Sequence, residues 1–206
     1  MEKARRKERE FHFRRTEILE NAGKIFAAKG FHNATVAEIA DASGFAVGTI
    51  YLFFASKESL YETLLTEKLE MLYGRIREAV GREDDTFRKI EVLAAENFRF
   101  VENNADFCNI FIRGDHLSLS EGSETLRQRI MRDYAAYLTF VESVMCEGIR
   151  KGNLKKIDSR MAAAALIGII NSCSFKWLTV DKGQSLETKV QFVMKIFLEG
   201  VKSDAQ

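Results

Sequence analysis

The chain has 206 residues, and its 46% hydrophobic content is enough for a sizeable core in one large domain or two small ones. A formal net charge of +1 excludes a chain that holds nucleic acid by bulk electrostatics along its whole length. There is no proline, which suits long helices with short joins, and no alternating Val/Ile/Thr run bounded by turn residues argues for strands.

The charge is unevenly placed. Residues 1–16 carry seven basic residues (Lys3, Arg5, Arg6, Lys7, Arg9, Arg14, Arg15) against three acidic ones. This basic arm reads either as a phosphate or minor-groove contact or as a solvated, frayed extension of the first helix. The first strong helix spans Phe13–Lys29, with Ile18, Ala22, Ile25 and Phe26 on one face and Gly30 closing it. Phe31–Ala34 joins it to the stretch on which the chain is organised, Thr35–Lys57.

That stretch reads as two short helices and a tight turn. Thr35 and Glu38 make a T-x-x-E capping box, so a helix begins at Val36. Gly44 ends it, because glycine takes the positive φ that a reversal needs. A second helix follows from Ala46 to Phe54, with Ile50 and Phe54 inward. This is a helix-turn-helix layout, in which the second helix enters the DNA major groove. Ser56 caps a long helix reaching Val80, with Leu60, Leu64, Met71, Leu72 and Ile76 as its buried face, and residues 81–85 form a loop.

Helical segments follow at Thr86–Glu102, Ala105–Ile112 (ended by Gly114), Ser123–Lys151 (ended by Gly152), Asp158–Val180 and Ser185–Val201. Ser118–Gly122 is a polar join and Asp181–Gln184 a turn. The expected fold is therefore all-α: a three-helix DNA-binding domain with its arm over residues 1–57, then a six-helix bundle over 58–206, nine helices in all. Cys108, Cys146 and Cys173 are scattered without a CxxC pair, which points to a reducing cytoplasm and thiols that serve as small core residues. His12, His32 and His116 lack metal-ligand spacing, so neither a metal nor a cofactor is expected. Ala162–Ile170 is too short and too closely flanked by charge to predict a membrane span, and the basic N-terminus lacks a signal peptide's apolar stretch.

Ile18, Ala22, Phe26, Gly30, Thr35, Ile39, Ala40, Gly44, Gly48, Thr49, Ile50, Tyr51, Phe54, Lys57, Glu58 and Leu60 together carry a wider pattern. On them, residues 13–60 resemble the DNA-binding domain of the TetR (tetracycline repressor) family of bacterial transcription regulators. Residues 61–206 resemble the family only in layout. The resemblance implies a homodimer on a palindromic operator, released when a small molecule binds. It assigns Thr35, Thr49, Tyr51 and Lys57 to DNA, with Ala46, Val47 and Gly48 at the head of the reading helix. At Ala37, Ala46, Val47 and Gly48, positions that often carry polar or basic readers, this chain is apolar, and Phe53 stands where histidine or tyrosine is common. Base recognition then leans on Thr49, on apolar contact of Ala46 and Val47 with thymine methyls, and on the basic arm in an adjacent minor groove.

Residues 86–180 are rich in aromatics, which serve either as plain core or as the lining of an effector cavity. The candidate lining is Asn97, Phe98, Phe107, Phe111, Arg113, Tyr134, Tyr137, Asn171 and Phe175, with Cys173 as a further polar group; a fatty acyl compound or a hydrophobic drug-like molecule would suit such walls. Ala162–Ala165, Gly168 and Ser172, together with Phe192, Ile196 and Phe197, make helices 158–180 and 185–201 the candidate dimer face. Two other classes compete: a helical enzyme using the cavity, and an architectural DNA-binding protein without effector. No Ser/His/Asp or Cys/His set, phosphate-binding glycine loop or metal motif supports the enzyme, so no catalytic residue is assigned.

Overall fold

A computed structural model describes residues 2–114, 123–180 and 182–201. The expected join at Ser118–Gly122, His116 and Asp181 lie outside the described residues. Among those described there are nine α-helices, one short 3-10 helix and no strand. The helices are α1 (Glu2–Asn33), α2 (Val36–Ser43), α3 (Val47–Phe53), α4 (Lys57–Gly81), α5 (Thr86–Asn103), α6 (Ala105–Arg113), α7 (Ser123–Arg150), α8 (Ser159–Thr179) and α9 (Val190–Val201). They form two compact units. The first comprises 1–68 and 106–127, the second 69–105 and 128–206.

Local chemistry fixes the first unit's ends and turns. α1 is helical to Lys29 and kinks at Gly30, whose φ of 77° is open to glycine alone at little strain. Thr35 caps α2 through a complete capping box: its hydroxyl accepts from the Glu38 amide (3.2 Å), and the Glu38 carboxylate accepts from the Thr35 amide (3.0 Å). Gly44 (φ 71°) closes α2 in a Schellman turn, with the Gly44 amide donating to Asp41 O and the Phe45 amide to Ala40 O. Thr35→Ala removes one of these anchors, and we expect it to cost about 1 kcal/mol of stability. The denaturant midpoint checks this.

The core of the first unit is aromatic. Phe26 stands edge-on to Tyr61 at 5.0 Å, and Phe31 packs on both rings. Ile18, Ala22, Ile39, Ala40, Ile50, Phe54, Leu60 and Leu64 complete it, all buried.

In the second unit, Asp85 and Asp158 cap α5 and α8 with their carboxylates. Gly152 (φ 75°) closes α7. The core runs through Ile90, Leu93, Phe98, Val141, Met145, Leu166, Ile170 and Val193.

Several expectations are corrected. α1 starts at Glu2 rather than Phe13, so the basic segment is part of the helix. The first turn after Ser185 is a 3-10 helix, Leu186–Lys189, and α9 proper starts at Val190. Met71 and Leu72 are only half-buried, and Cys146 is exposed rather than a core thiol. α8 has 21 residues and a mean hydropathy of 1.4, long and apolar enough by composition to span a membrane, contrary to the sequence expectation. Its apolar character also has an internal use, since Ala163, Leu166, Ile167 and Ile170 are buried in the second unit.

Candidate nucleic-acid and effector sites

α2 and α3 meet at 98° across Gly44–Ala46, a crossing within the range of helix-turn-helix pairs. α3 turns Ile50 into the core and leaves two rows outside. Val47 and Tyr51 form one row; Gly48 and Leu52, the latter 80% exposed, form the other. Ala46 is exposed at the head of α3, and Thr49 is half-buried. A side chain at Gly48 would meet nothing within 4 Å, so the backbone there is open to close approach. Thr35 is exposed at the head of α2, where its hydroxyl serves the capping box.

Lys57 is differently employed from the sequence reading. Its ammonium donates to the carbonyls of Phe31 and Ala34, both at 2.9 Å, and sits 4.4 Å from the centre of the Phe31 ring. It thereby ties the head of α4 to the end of α1, a second duty that any phosphate contact must share. The sequence could not show this tether, because it depends on which carbonyls the Gly30 kink turns toward α4.

The arm is an exposed helix from Arg5 to Arg14. It is not free of the helix-turn-helix: Phe11 packs on Phe53, the last residue of α3, with centroids 4.6 Å apart. Arg14 lies over Phe45 and Arg15 over Phe54, while Arg15 also grips the Glu67 carboxylate. Phe53 therefore has a packing role as the footing of the arm.

The candidate effector residues separate into distinct settings. Asn97 and Tyr137 lie in the core of the second unit, where Asn97 Nδ2 donates to Tyr137 Oη (3.0 Å) and to Leu93 O (2.8 Å). Tyr73, which sequence reasoning missed, stacks on Tyr137 at 4.6 Å and 14°. Burial pushes both phenols up, Tyr137 to about 12, so both stay neutral donors. Phe98 is wholly buried. Tyr134 is exposed at the edge of this group, and Asn171 and Phe175 lie on the outer side of α8. In the first unit, Phe107 is buried and lies 6.0 Å from half-buried Phe111, while Arg113 is exposed. Cys173 lines an open hollow of about 470 Å³ with Lys176, Trp177, Leu186 and Phe192. Of the expected lining, the structure thus joins Asn97 to Tyr137 and Phe107 to Phe111, and sets Asn171 and Phe175 on the surface.

The expected dimer face is split. Ala162, Ala163 and Phe197 are buried within the second unit. Met161, Ala165, Gly168, Ser172 and Phe175 form an exposed row at helical spacing along α8, and Phe192 and Ile196 are exposed on α9.

Comparison with known proteins bears on both halves. The model for "Bacterial regulatory proteins, tetR family" matches residues 18–64, and that for "YsiA-like protein, C-terminal region" matches residues 65–200. The fatty acid metabolism regulator protein of Bacillus subtilis is 26% identical over 186 residues, covering 90% of this chain and 94% of that protein. The HTH-type transcriptional repressor KstR2 of Rhodococcus jostii is 25% identical, covering 92% of each chain. The crystal structure of the regulator FadR from Bacillus subtilis in complex with stearoyl-CoA superposes with a TM-score of 0.76 at 26% identity, covering 90% of this chain and 98% of that one.

Proposed function

The chain belongs to the TetR family of bacterial regulatory proteins, and from that premise we propose that it is a repressor freed from its operator by a long-chain fatty acyl thioester. In this reading residues 1–57 hold DNA in the bacterial cytoplasm, and residues 58–206 take the effector and pair two copies. The single observation that carries the DNA half is the capped α2–α3 pair crossing at 98°, with one face of α3 left to solvent. Support for the effector class comes from the full-length likeness to a regulator crystallised with stearoyl-CoA and from the apolar second unit, whose few internal polar groups include Asn97, Tyr73 and Tyr137. A hydrophobic drug-like effector is the other ligand class that such walls suit.

The family is one of transcription regulators and not of enzymes. The exposed rows of α8 and α9 would pack on their own copy as a four-helix face, giving two recognition helices related by a two-fold axis. Such a dimer reads half-sites roughly 34–36 Å apart. α4 is the route for control, since the one helix carries chain from the DNA-binding residues into the effector-binding residues. The effector would favour a state in which the two recognition helices no longer match the groove spacing. A coupling of about 1–3 kcal/mol would change operator affinity roughly 5- to 150-fold.

The test is selection of bound DNA from a random pool by the full-length protein, followed by titration with stearoyl-CoA. A palindrome released by the thioester is the expected outcome. Enrichment of no palindrome would overturn the DNA reading; a palindrome held equally with and without the thioester would overturn the effector class. A charge on the outer row checks the pairing: Ile196→Asp should give a monomer by light scattering with helicity retained, because Ile196 is exposed within one chain.

The arm adds a second check on the same operator. The segment from Val36 to Phe53 carries Glu38 and Asp41 and no basic residue, so phosphate attraction must come from elsewhere. Deleting residues 1–12 should weaken binding and flatten its dependence on salt by about one unit of log–log slope for each phosphate that is no longer neutralised. An unchanged slope would exclude the arm from the interface.

A further inference from the structure

We propose that Val47 is the specificity-determining residue of α3 and that it recognises the C5 methyl group of thymine. This inference rests on the DNA-binding reading and adds what the helix reads.

Direct recognition of bases in the major groove uses guanidinium or ammonium groups on guanine, side-chain amides on adenine, carboxylates on cytosine, and apolar contact with the thymine methyl. The outer surface of the helix-turn-helix removes these options one by one. From Val36 to Phe53 there is no Arg, Lys, Asn, Gln or His. Of the two carboxylates, Glu38 is committed to Thr35 and Lys29, and Asp41 belongs to α2, not to the reading helix. The Ser43 hydroxyl donates to Ile39 O at 2.6 Å. Thr49, the one hydroxyl near the start of α3, is half-buried, and what α3 turns fully outward is Val47, Gly48, Tyr51 and Leu52.

Position then selects among these. The N-terminal residues of a recognition helix are the ones that contact base edges. That places Val47 first, beside Gly48, whose missing side chain lets the backbone come close. The valine has two methyl groups on a stiff, β-branched stem, 41% exposed in the free chain. A partner that covers this surface without a polar match must itself be apolar there, because a base-edge donor or acceptor stripped of water and left unpaired is penalised. In the major groove the apolar feature is the thymine methyl. Tyr51, one turn further on, can give its hydroxyl to a phosphate or a base, but it cannot make the two-pronged contact that identifies guanine or adenine.

The experiment uses the full-length protein and the duplex that it enriches from a random pool. Each thymine is replaced in turn by deoxyuridine, which removes the methyl and keeps the pairing and the O4 acceptor. One or two positions in each half-site should lose about fourfold in affinity per methyl, the value of one buried carbon, and symmetric replacement in both half-sites roughly fifteenfold. In Val47→Ala the same replacements should cost less than twofold, because the side-chain methyl groups that met the thymine methyl are gone. Placing 5-methylcytosine at a position where cytosine is rejected should recover part of the loss. If every deoxyuridine duplex binds within twofold of the parent, the methyl is not read and selectivity lies in DNA shape, although the protein still binds DNA. If the penalty persists unchanged in Val47→Ala, the methyl is read by another residue and the assignment falls. If the pool yields no preferred duplex, this inference and the DNA-binding reading fall together.

Discussion

Phe26→Ala is expected to cost about 3–5 kcal/mol of unfolding free energy in the first unit, the largest effect expected of any single truncation there. Phe26 is wholly buried, and its ring is the hub of an aromatic cluster, edge-on to Tyr61 at 5.0 Å and stacked with Phe31 at 6.0 Å. Removing it deletes the transfer energy of the ring and opens a cavity beside two rings that are fixed by other partners. Tyr61 belongs to α4 and stands between Leu60 and Leu64 in sequence, both buried, while Phe31 carries the Lys57 ammonium on its face. Neither ring can swing into the gap without giving up those partners. The consequence reaches function through Lys57: its two short bonds to Phe31 and Ala34 hold α1 to α4, and the head of α2 follows directly from Ala34. The variant should therefore expose the amides of Ile18–Phe26 to hydrogen exchange and weaken operator binding even below its unfolding midpoint. A loss under about 1 kcal/mol would mean that the cluster collapses and that the tether, not the rings, positions α2.

The residues that sequence reasoning places well act over a few positions of chain. Gly30, Gly44 and Gly152 end helices because the backbone there needs a positive φ, and Thr35 with Glu38 completes its box within one turn. Such signals survive in one dimension. The phase of α8 does not, because that helix is apolar all round and its periodicity cannot say which side meets a neighbour. Hence sequence alone groups Ala162 with Ala165, although one is buried and the other is exposed. The effector residues are hard to read for a related reason. Aromatic content marks core and cavity alike, so Phe98 and Phe175 look equivalent in sequence, while burial sets the first at the centre and the second outside. Tyr73 gives no signal there, because its pairing with Tyr137 joins α4 to α7, distant in sequence, and only the folded unit creates it.

In the second unit, Gly148→Ala should destabilise by about 1–3 kcal/mol although it improves helix propensity. Two effects oppose each other. Alanine in place of glycine inside a helix is worth roughly 0.5–1 kcal/mol in favour of the variant. Against this, a Cβ at Gly148 would stand 2.6 Å from Thr86 Cγ2 and 2.7 and 2.8 Å from Leu154 Cδ1 and Cγ, distances that force a shift. The neighbours have little room to yield. Leu154 and Thr86 are both buried, and the Thr86 hydroxyl donates to Asn153 Oδ1 at 3.2 Å. The backbone is fixed as well, since Gly148 O accepts from the Asn153 amide in the Schellman turn that ends α7. Around it, hydrogen bonds from Lys151 and then Lys89 hold the Glu147 carboxyl down to about 2, and Lys151 also donates to Asp84 O, so the start of α5 and the end of α7 form one clamp. The steric term should win. Gly74 supplies the control, for it lies exposed within α4 with nothing within 4 Å of an added Cβ, and Gly74→Ala should stabilise by roughly 0.5–1 kcal/mol. Thr86→Ser removes the methyl that clashes at 2.6 Å, so the double variant Gly148→Ala with Thr86→Ser should regain part of the loss in a denaturant titration. Equal destabilisation with and without the Thr86 methyl would place the conflict at Leu154 alone, and a net stabilisation by Gly148→Ala would show that the clamp yields at its joint, leaving helix propensity to decide the sign.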